Sequence, residues 1–359
     1  MNILLVLLLV SAAATQVADW LKRMPPPLDA HDVYAADRPG DLSPAVRGFP
    51  DRIYVPNSGQ NTVDVIDPHT FKIIDHFKVG KQPQHVTPSY DLKTLWVLND
   101  LGDSLTRVNP ATGRIRDTVK VKDPYNMYYT PDGRYAIVVA ERTHRLDFRD
   151  TQTMKLIDSV PVPRGVDHMD FSSDGRYLLA SCEFSGDIVK IDVDTHQVLG
   201  TLTLPGRAMP QDVRLTPDGS IFFVADMAGN GVFEIDGQAL KTVGFIATGK
   251  GAHGLYFSRD SKWLYVSNRG EGTVAVIDVR TRTLAMKWTI PGGGSPDMGG
   301  VSADGKVLWL SGRYHAEVYA FDTTDGHLLA RIHVGKGPHG LCVYPQPGRY
   351  SLGHTGNMR

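Results

Sequence analysis

One polar side chain recurs at a matching point of seven repeats along this chain: His85, Asn126, His168, Asp212, His253, Asp297 and His339. Gln84, Asp167 and Gln211 stand directly beside three of them. A second recurring set reads Asn57, Asn99, Glu141, Glu183, Asp226, Asn268 and then Gly312-Arg313. Imidazoles and carboxylates together suit Zn, Cu, Fe or Mn. The best metal set is His168 and Glu183 in one repeat, Asp212 and Asp226 in the next, and His253 in the third. A divalent transition metal held there would be structural, stored, or a Lewis acid that activates water or substrate. Two of the four histidines are offset by one residue, and neighbouring strand residues point to opposite faces, which argues against a common ring. The plainer reading is that these groups solvate a channel rim and satisfy loop backbone. Glu141, Glu183 and Asp226 form an acidic arc, and Arg269 and Arg313 a basic one. Such a pair of arcs would orient a ligand carrying both charges, Arg being suited to carboxylate or phosphate. As exposed ion pairs across repeats they would be worth about 0–1 kcal/mol each.

The elements that position these groups are short strands. A Ser/Thr-Pro-Asp-Gly turn or a near variant recurs at Asp91, Asp132, Asp174, Asp218, Asp260 and Asp304. Its spacing of roughly 42 residues is that of four-stranded propeller blades. Each unit runs from an apolar strand into the Asp-Gly turn, then a β-branched and aromatic strand such as Trp263-Leu264-Tyr265-Val266, then an alternating strand ending in Asp, such as Val274–Asp278. The period is two throughout, which excludes a helical solenoid. First strands start near His85, Asn126, His168, Asp212, His253, Asp297 and His339, while the remaining strands of a unit start from Arg52, Thr94, Arg134, Arg176, Ser220, Lys262 and Lys306. The two series are offset, so the strand near Gly340–Tyr344 should complete the blade that begins at Arg52 and leave no open edge. The chain is therefore expected to be all-β: a seven-bladed β-propeller of four-stranded antiparallel blades spanning 52–346, with a tail at 347–359. In such a blade the start of the first strand and the end of the second lie on one face, so both polar columns should converge on one channel mouth.

Tyr54-Val55-Pro56-Asn57 and Tyr265-Val266-Ser267-Asn268 resemble the Tyr-Val-Thr-Asn motif of YVTN-repeat, YncE-like propellers, and the resemblance covers nearly all of Arg52 to Tyr344. It implies the fold and leaves the function open, because related propellers include cytochrome d1 haem domains, lactonases, a streptogramin lyase and the copper-bearing propeller of nitrous oxide reductase.

Residues 1–18 read as a signal peptide or an N-terminal anchor: an apolar run from Ile3 to Val10 is followed by Ser11-Ala12-Ala13-Ala14. Residues 19–51 read as a linker or strap. The protein is thus expected to be secreted or to lie in the cell envelope or periplasm, with membrane attachment only through an uncleaved N-terminal segment. A formal net charge of -1 gives no basic excess for nucleic acid. The two cysteines, Cys182 and Cys342, fall on blades that are not neighbours and read as core residues. His144, His196, His315 and His354 lie outside the two columns and read as surface residues. No nucleophile elbow, phosphate loop or Cys-x-x-Cys-His motif occurs. The leading expectation is a monomeric binding or scaffold module that offers its mouth to a small molecule, metal or partner protein. The alternatives are a metal-dependent lyase or lactonase-like hydrolase, and a d1-haem- or copper-type redox module; whether the chain catalyses anything stays open.

Overall fold

The structure is a computed structural model that describes residues 24–359; the segment read as a signal or anchor, 1–18, and the first residues of the strap lie outside the described residues. Among the described residues no helix is long and apolar enough to cross a membrane.

Seven four-stranded antiparallel sheets form the blades of a propeller. The first blade takes Arg52–Asn57, Thr62–Asp67 and Lys72–Lys78 from the start of the chain and Cys342–Tyr344 from near its end. Tyr54 pairs with Cys342 and Ile53 with Val343, so the ring closes by backbone hydrogen bonds, as the strand count predicts. The closure is also apolar: Ile53, Val55, Leu341 and Val343 of the first blade pack on Trp309, Val318 and Ala320 of the last. Full burial of each such side chain contributes about 1.5–3 kcal/mol. Both cysteines are free and buried.

The recurring Asp turns explain why each first strand reverses into the second. At Thr216-Pro217-Asp218-Gly219, Asp218 Oδ1 accepts from the Thr216 hydroxyl and the Ser220 N–H, and the Thr216 hydroxyl oxygen accepts from the Ile221 N–H. Gly219 takes φ +71, the left-handed conformation such a turn requires. Burial then grades across each blade: Pro83–Pro88, a first strand, is buried along its length, whereas Lys72–Lys78, a fourth strand, is almost wholly exposed. First strands line the central channel and fourth strands meet solvent.

The face carrying the Asp turns is covered. The strap hydrogen-bonds along it, with Val33 N–H donating to Pro217 O, the Tyr34 hydroxyl to Leu215 O and Arg38 to Arg259 O. The tail folds under the channel as a hairpin, Ser351 bridging Met358, and Gly353 pairs with Tyr128 of the third blade. Asp170 accepts two hydrogen bonds from Arg359, at 2.9 and 3.1 Å, in a buried ion pair. Strap and tail thus close one end of the channel and leave the other end, the convergence of the two polar columns, free.

Candidate functional site

A cavity of about 300 Å³ opens at the uncovered end, lined by Gln84, Tyr125, Glu141, Asp167, Glu183, Phe184, Gln211, Met227, His253, Arg269, Arg313, Tyr314 and His339. Every blade contributes to it, the third to sixth from two loops each, and the pairing register explains which residues arrive.

The ladder between first and second strands shifts register at Pro83/His85, Val166/Met169, Pro210/Val213, Ala252/Leu255 and Pro296/Gly299. Each shift is a β-bulge, which inserts one extra residue and re-aims its neighbours. Two consecutive side chains can therefore face the axis, and the offset among the histidines has a physical basis. The upper tier at the mouth is Gln84, Tyr125, Asp167, Gln211, His253, Asp297 and His339; the lower tier is His85, Asn126, His168, Asp212, Gly254, Met298 and Gly340. His253, Asp297 and His339 thus belong to the mouth, and His85, Asn126, His168 and Asp212 to the channel beneath it.

The ends of the second strands divide in the same way. Asn57, Asn99, Asp226 and Asn268 pair with the first residue of the third strand, as do Ala140, Cys182 and Gly312. Their side chains brace their own hairpins: Asn57 donates to Thr62 and Asp64, and Asn99 to Ser104 and Thr106. Asp226 accepts from the N–H groups of Met209, Ala228 and Gly229. The next residue is the one that reaches the mouth, giving Glu141, Glu183, Met227, Arg269 and Arg313. Of the metal set read from sequence, the mouth receives Glu183 and His253, the channel receives His168, and Asp226 is committed to its loop. Asp212 accepts from Val213 and Leu255 N–H, and burial pushes its carboxyl up to about 6.

The mouth is electrostatically divided. On one side stand Glu141, Asp167 and Glu183. Burial raises Glu141 to about 7, with Asp100, Glu183 and Asp123 adding repulsion. Burial also raises Asp167 well above the carboxylate range, helped by Glu183 and Glu141, and raises Glu183. Neither Asp167 oxygen is in good hydrogen-bond geometry with a donor among the described residues, although the nearby Tyr125 hydroxyl pulls its carboxyl down slightly. On the other side, Asp297 draws in Arg269 and two imidazoles: His339 Nδ1 lies 2.7 Å from Oδ2, and Arg269 Nη1 and His253 Nδ1 lie 3.1 and 3.0 Å from Oδ1. Burial pushes Asp297 up, but His253, Arg269 and Arg313 outweigh it and hold the carboxyl below its ordinary value. Arg269 is thereby neutralised locally, whereas Arg313 Nη1 is buried with no hydrogen-bond partner among the described residues. Phe184 and Tyr314, 53% and 69% exposed, stand at the rim of the same cavity.

Beneath the mouth the structure corrects one expectation outright. His354 is fully buried, not on the surface: the tail carries it into the channel, its ring stacked on Tyr128 at 5.8 Å and 4.7 Å from the ring of His168. His196 likewise packs its ring on Phe148 at 3.8 Å, whereas His315 is exposed. Burial lowers His85 to about 4 and lowers His168, His253, His339 and His354 well below the usual histidine value, so these rings are neutral near pH 7.

Sequence reasoning passed over Tyr125, Phe184, Met227, Tyr314 and His354. The first has a signal in the chain: Tyr125 follows Pro124 as Gln84 follows Pro83, Gln211 follows Pro210, Asp297 follows Pro296 and His339 follows Pro338. Counting from that proline aligns the upper tier. Nothing in the tail marks His354.

The chain matches the YNCE-like beta-propeller family over residues 41–149 and 203–348. Comparison with curated proteins finds no match. Among solved structures, one that it resembles is dihydro-heme d1 dehydrogenase NirN in complex with DHE, at 18% identity and a TM-score of 0.62 over 89% of this chain and 78% of that one. Hydrazine synthase of Kuenenia stuttgartiensis matches at 21% identity and a TM-score of 0.66, covering 81% of this chain and 97% of that one. A putative 6-phosphogluconolactonase from Bacteroides fragilis matches at 18% identity and a TM-score of 0.65, covering 83% and 99%. At these identities the likeness is one of fold alone, and chemistry has to be argued from the mouth and channel.

Proposed function

The chain belongs to the YNCE-like β-propeller family, and from that fold and the side chains at its mouth we infer a binding module for a small ligand that carries both an ammonium and a carboxylate or phosphate. The observation that carries this reading is that an open guanidinium nitrogen and an open carboxyl group line one cavity beside the acidic Glu141 and Glu183. Arg313 Nη1, without a partner, lines one side, and Asp167, with neither oxygen lined up with a donor, lines the other. Buried polar atoms are almost always hydrogen-bonded, so a facing pair left open is what an incoming ligand would satisfy. The guanidinium takes the anionic end in a charge-assisted hydrogen bond, and the acidic side takes the cationic end. At about 300 Å³ the cavity is at the lower end of ligand sites, a size for a small metabolite and not for a macrocycle such as haem.

A hydrolytic or lyase reading draws support from one feature: His339 Nδ1 is hydrogen-bonded to Asp297, an arrangement that orients imidazole as a general base. No nucleophile is placed beside it, so binding is the better-supported role.

Calorimetry tests it with small amino acids, a matched amine and a matched carboxylate as probes. An amino acid is expected to bind at least about tenfold, or 1.4 kcal/mol, tighter than either single-charge probe. Arg313→Met and Glu183→Gln should each remove most of that advantage. Equal binding of all three probes, or an unchanged preference in both variants, would sink the reading.

A further inference from the structure

The lower tier of the channel holds three histidines from three separate parts of the chain: His85 from the second blade, His168 from the fourth and His354 from the tail. All three are fully buried, and each offers a ring nitrogen within 4.8 Å of those of the other two. Their Nδ1 atoms are occupied. His85 Nδ1 lies 2.8 Å from Tyr125 O, while the Nδ1 atoms of His168 and His354 lie 3.1 and 3.0 Å from the side-chain amide of Asn126. Their Nε2 atoms are not: none of the three has a hydrogen-bond partner among the described residues. His168 Nε2 lies 3.1 Å from Asp167 Oδ1, which is not aligned for a hydrogen bond.

We propose that His85, His168 and His354 form a tris-imidazole site for one late first-row transition ion, zinc or copper, with the Asp167 carboxyl beside it. Three imidazoles with an open fourth position are an established way to hold such an ion. A ligating histidine ordinarily engages its other nitrogen with a carbonyl, carboxylate or amide, which fixes the tautomer and turns the free lone pair inward. The Tyr125 carbonyl does this for His85: accepting from Nδ1–H, it leaves Nε2 as the lone-pair nitrogen. Asn126 does it for the other two when its oxygen faces both rings. Here the amide presents Nδ2 to them and to the Tyr128 hydroxyl, and its oxygen to the Met127 N–H at 2.9 Å, so ion binding turns the amide over, gives up the Met127 bond and reverses the Tyr128 one. The neighbouring glycine fits the arrangement, since a Cβ on Gly340 would lie 2.0 Å from His85 Cδ2.

The site differs from the metal set read from sequence, sharing only His168. It borders the mouth through Asp167, but none of its three ligands lines that cavity, so substitutions at the histidines test it separately from the mouth. Its distinctive feature is His354: one ligand comes from the tail that closes the channel, and an ion would tie that tail to two blades.

The test uses full-length protein stripped with chelator, then titrated with Zn2+, with Cu+ under reducing conditions, and with Co2+ as a spectroscopic stand-in. One equivalent should bind per chain, with tetrahedral-type visible bands for Co2+ and a melting temperature raised by several degrees. His85→Gln, His168→Gln and His354→Gln should each weaken binding by at least about 100-fold, while His253→Gln, in the mouth, should leave it within about threefold. Asn126→Asp, which presents an acceptor to both Nδ1 atoms, should tighten it. The metal-free melting temperature of each variant checks that it folds. No binding at micromolar ion, or binding that survives the three variants as well as it survives His253→Gln, would overturn the proposal. Tighter binding in none of the ions on Asn126→Asp would remove the assigned role of that amide.

Discussion

The two ends of the channel bury charge in opposite ways. At the end covered by strap and tail, most buried charges meet partners, with Asp37 Oδ1 and Arg349 Nε left over. Asp170 holds Arg359; Arg214 lies 3.6 Å from Asp212 and donates to Leu255 O; Arg259 donates to Val301 O, Ser302 O and Gln346, with Asp37 3.9 Å away. At the mouth, Arg313 and Asp167 face one cavity with hydrogen-bonding capacity left over. A buried, matched pair is costly to break and tells of structure, whereas unmatched groups around an opening tell of something that arrives. The same residue types thus do different work according to what closes over them.

The largest expected effect lies at the closed end. Asp170→Ala leaves the Arg359 guanidinium buried without its carboxylate and also strips an acceptor from the Phe171 and Leu215 N–H groups. Removing one partner of a buried pair costs about 3–5 kcal/mol. Denaturant unfolding of Asp170→Ala should show a loss of that order. A loss below about 1 kcal/mol would mean that the tail is not held by this pair, and the contrast between the ends would fail.

The mouth should behave in the reverse sense. Arg313→Met removes a guanidinium with an unpartnered nitrogen, so unfolding stability should stay within about 0.5 kcal/mol of the parent even as ligand affinity falls. A stability loss of several kcal/mol would make Arg313 a structural residue and bring the mouth into line with the closed end.

Much of this fold could be read from the chain because a propeller writes each of its rules seven times. The Asp91, Asp132, Asp174, Asp218, Asp260 and Asp304 turns mark every first reversal, and the offset of the strand series foretold closure by the strand at Cys342–Tyr344. The site was legible in part. His253, His339, Glu141, Glu183, Arg269 and Arg313 reach the cavity, and Gln84, Asp167 and Gln211 reach it from beside the first column. The division into two tiers was harder to read, because a β-bulge suspends the alternation on which a strand's facing is judged, and its one mark is the proline that precedes most upper-tier residues. Asn57, Asn99 and Asn268 looked like mouth residues because they sit one position short of it. His354 was out of reach for another reason. It belongs to no repeat, and its burial follows from a tail contact hundreds of residues away in sequence, which periodicity cannot report.

The smallest expected effect sharpens the comparison by pH. Glu141 faces Asp100, Asp123, Glu183 and Asp167, with Arg142 as the opposing charge, and its carboxyl sits at about 7 against an ordinary 4.5. Its proton is therefore held at pH 6 and mostly gone at pH 8. The folded state binds more protons at this position than the unfolded chain does, so the stability Glu141 contributes is full below about 4.5 and is lost as pH rises through about 7. Affinity for a ligand ammonium runs the other way, because the charged form attracts it. Between pH 6 and 8 an amino-acid probe should gain about three- to tenfold in affinity, corresponding to roughly 0.7–1.4 kcal/mol. Binding at pH 6 should release protons into the buffer, a quantity that calorimetry in buffers of different ionisation enthalpy reads directly. Glu141→Gln should flatten both the affinity profile and the proton release. At the closed end the nearest comparison is Asp37, raised to about 6 by burial with Arg259 and Arg359 pulling it down. Asp37→Asn should leave the binding profile untouched. A profile that follows Asp37 and ignores Glu141 would show that the mouth senses pH through the fold and not through its own acidic side.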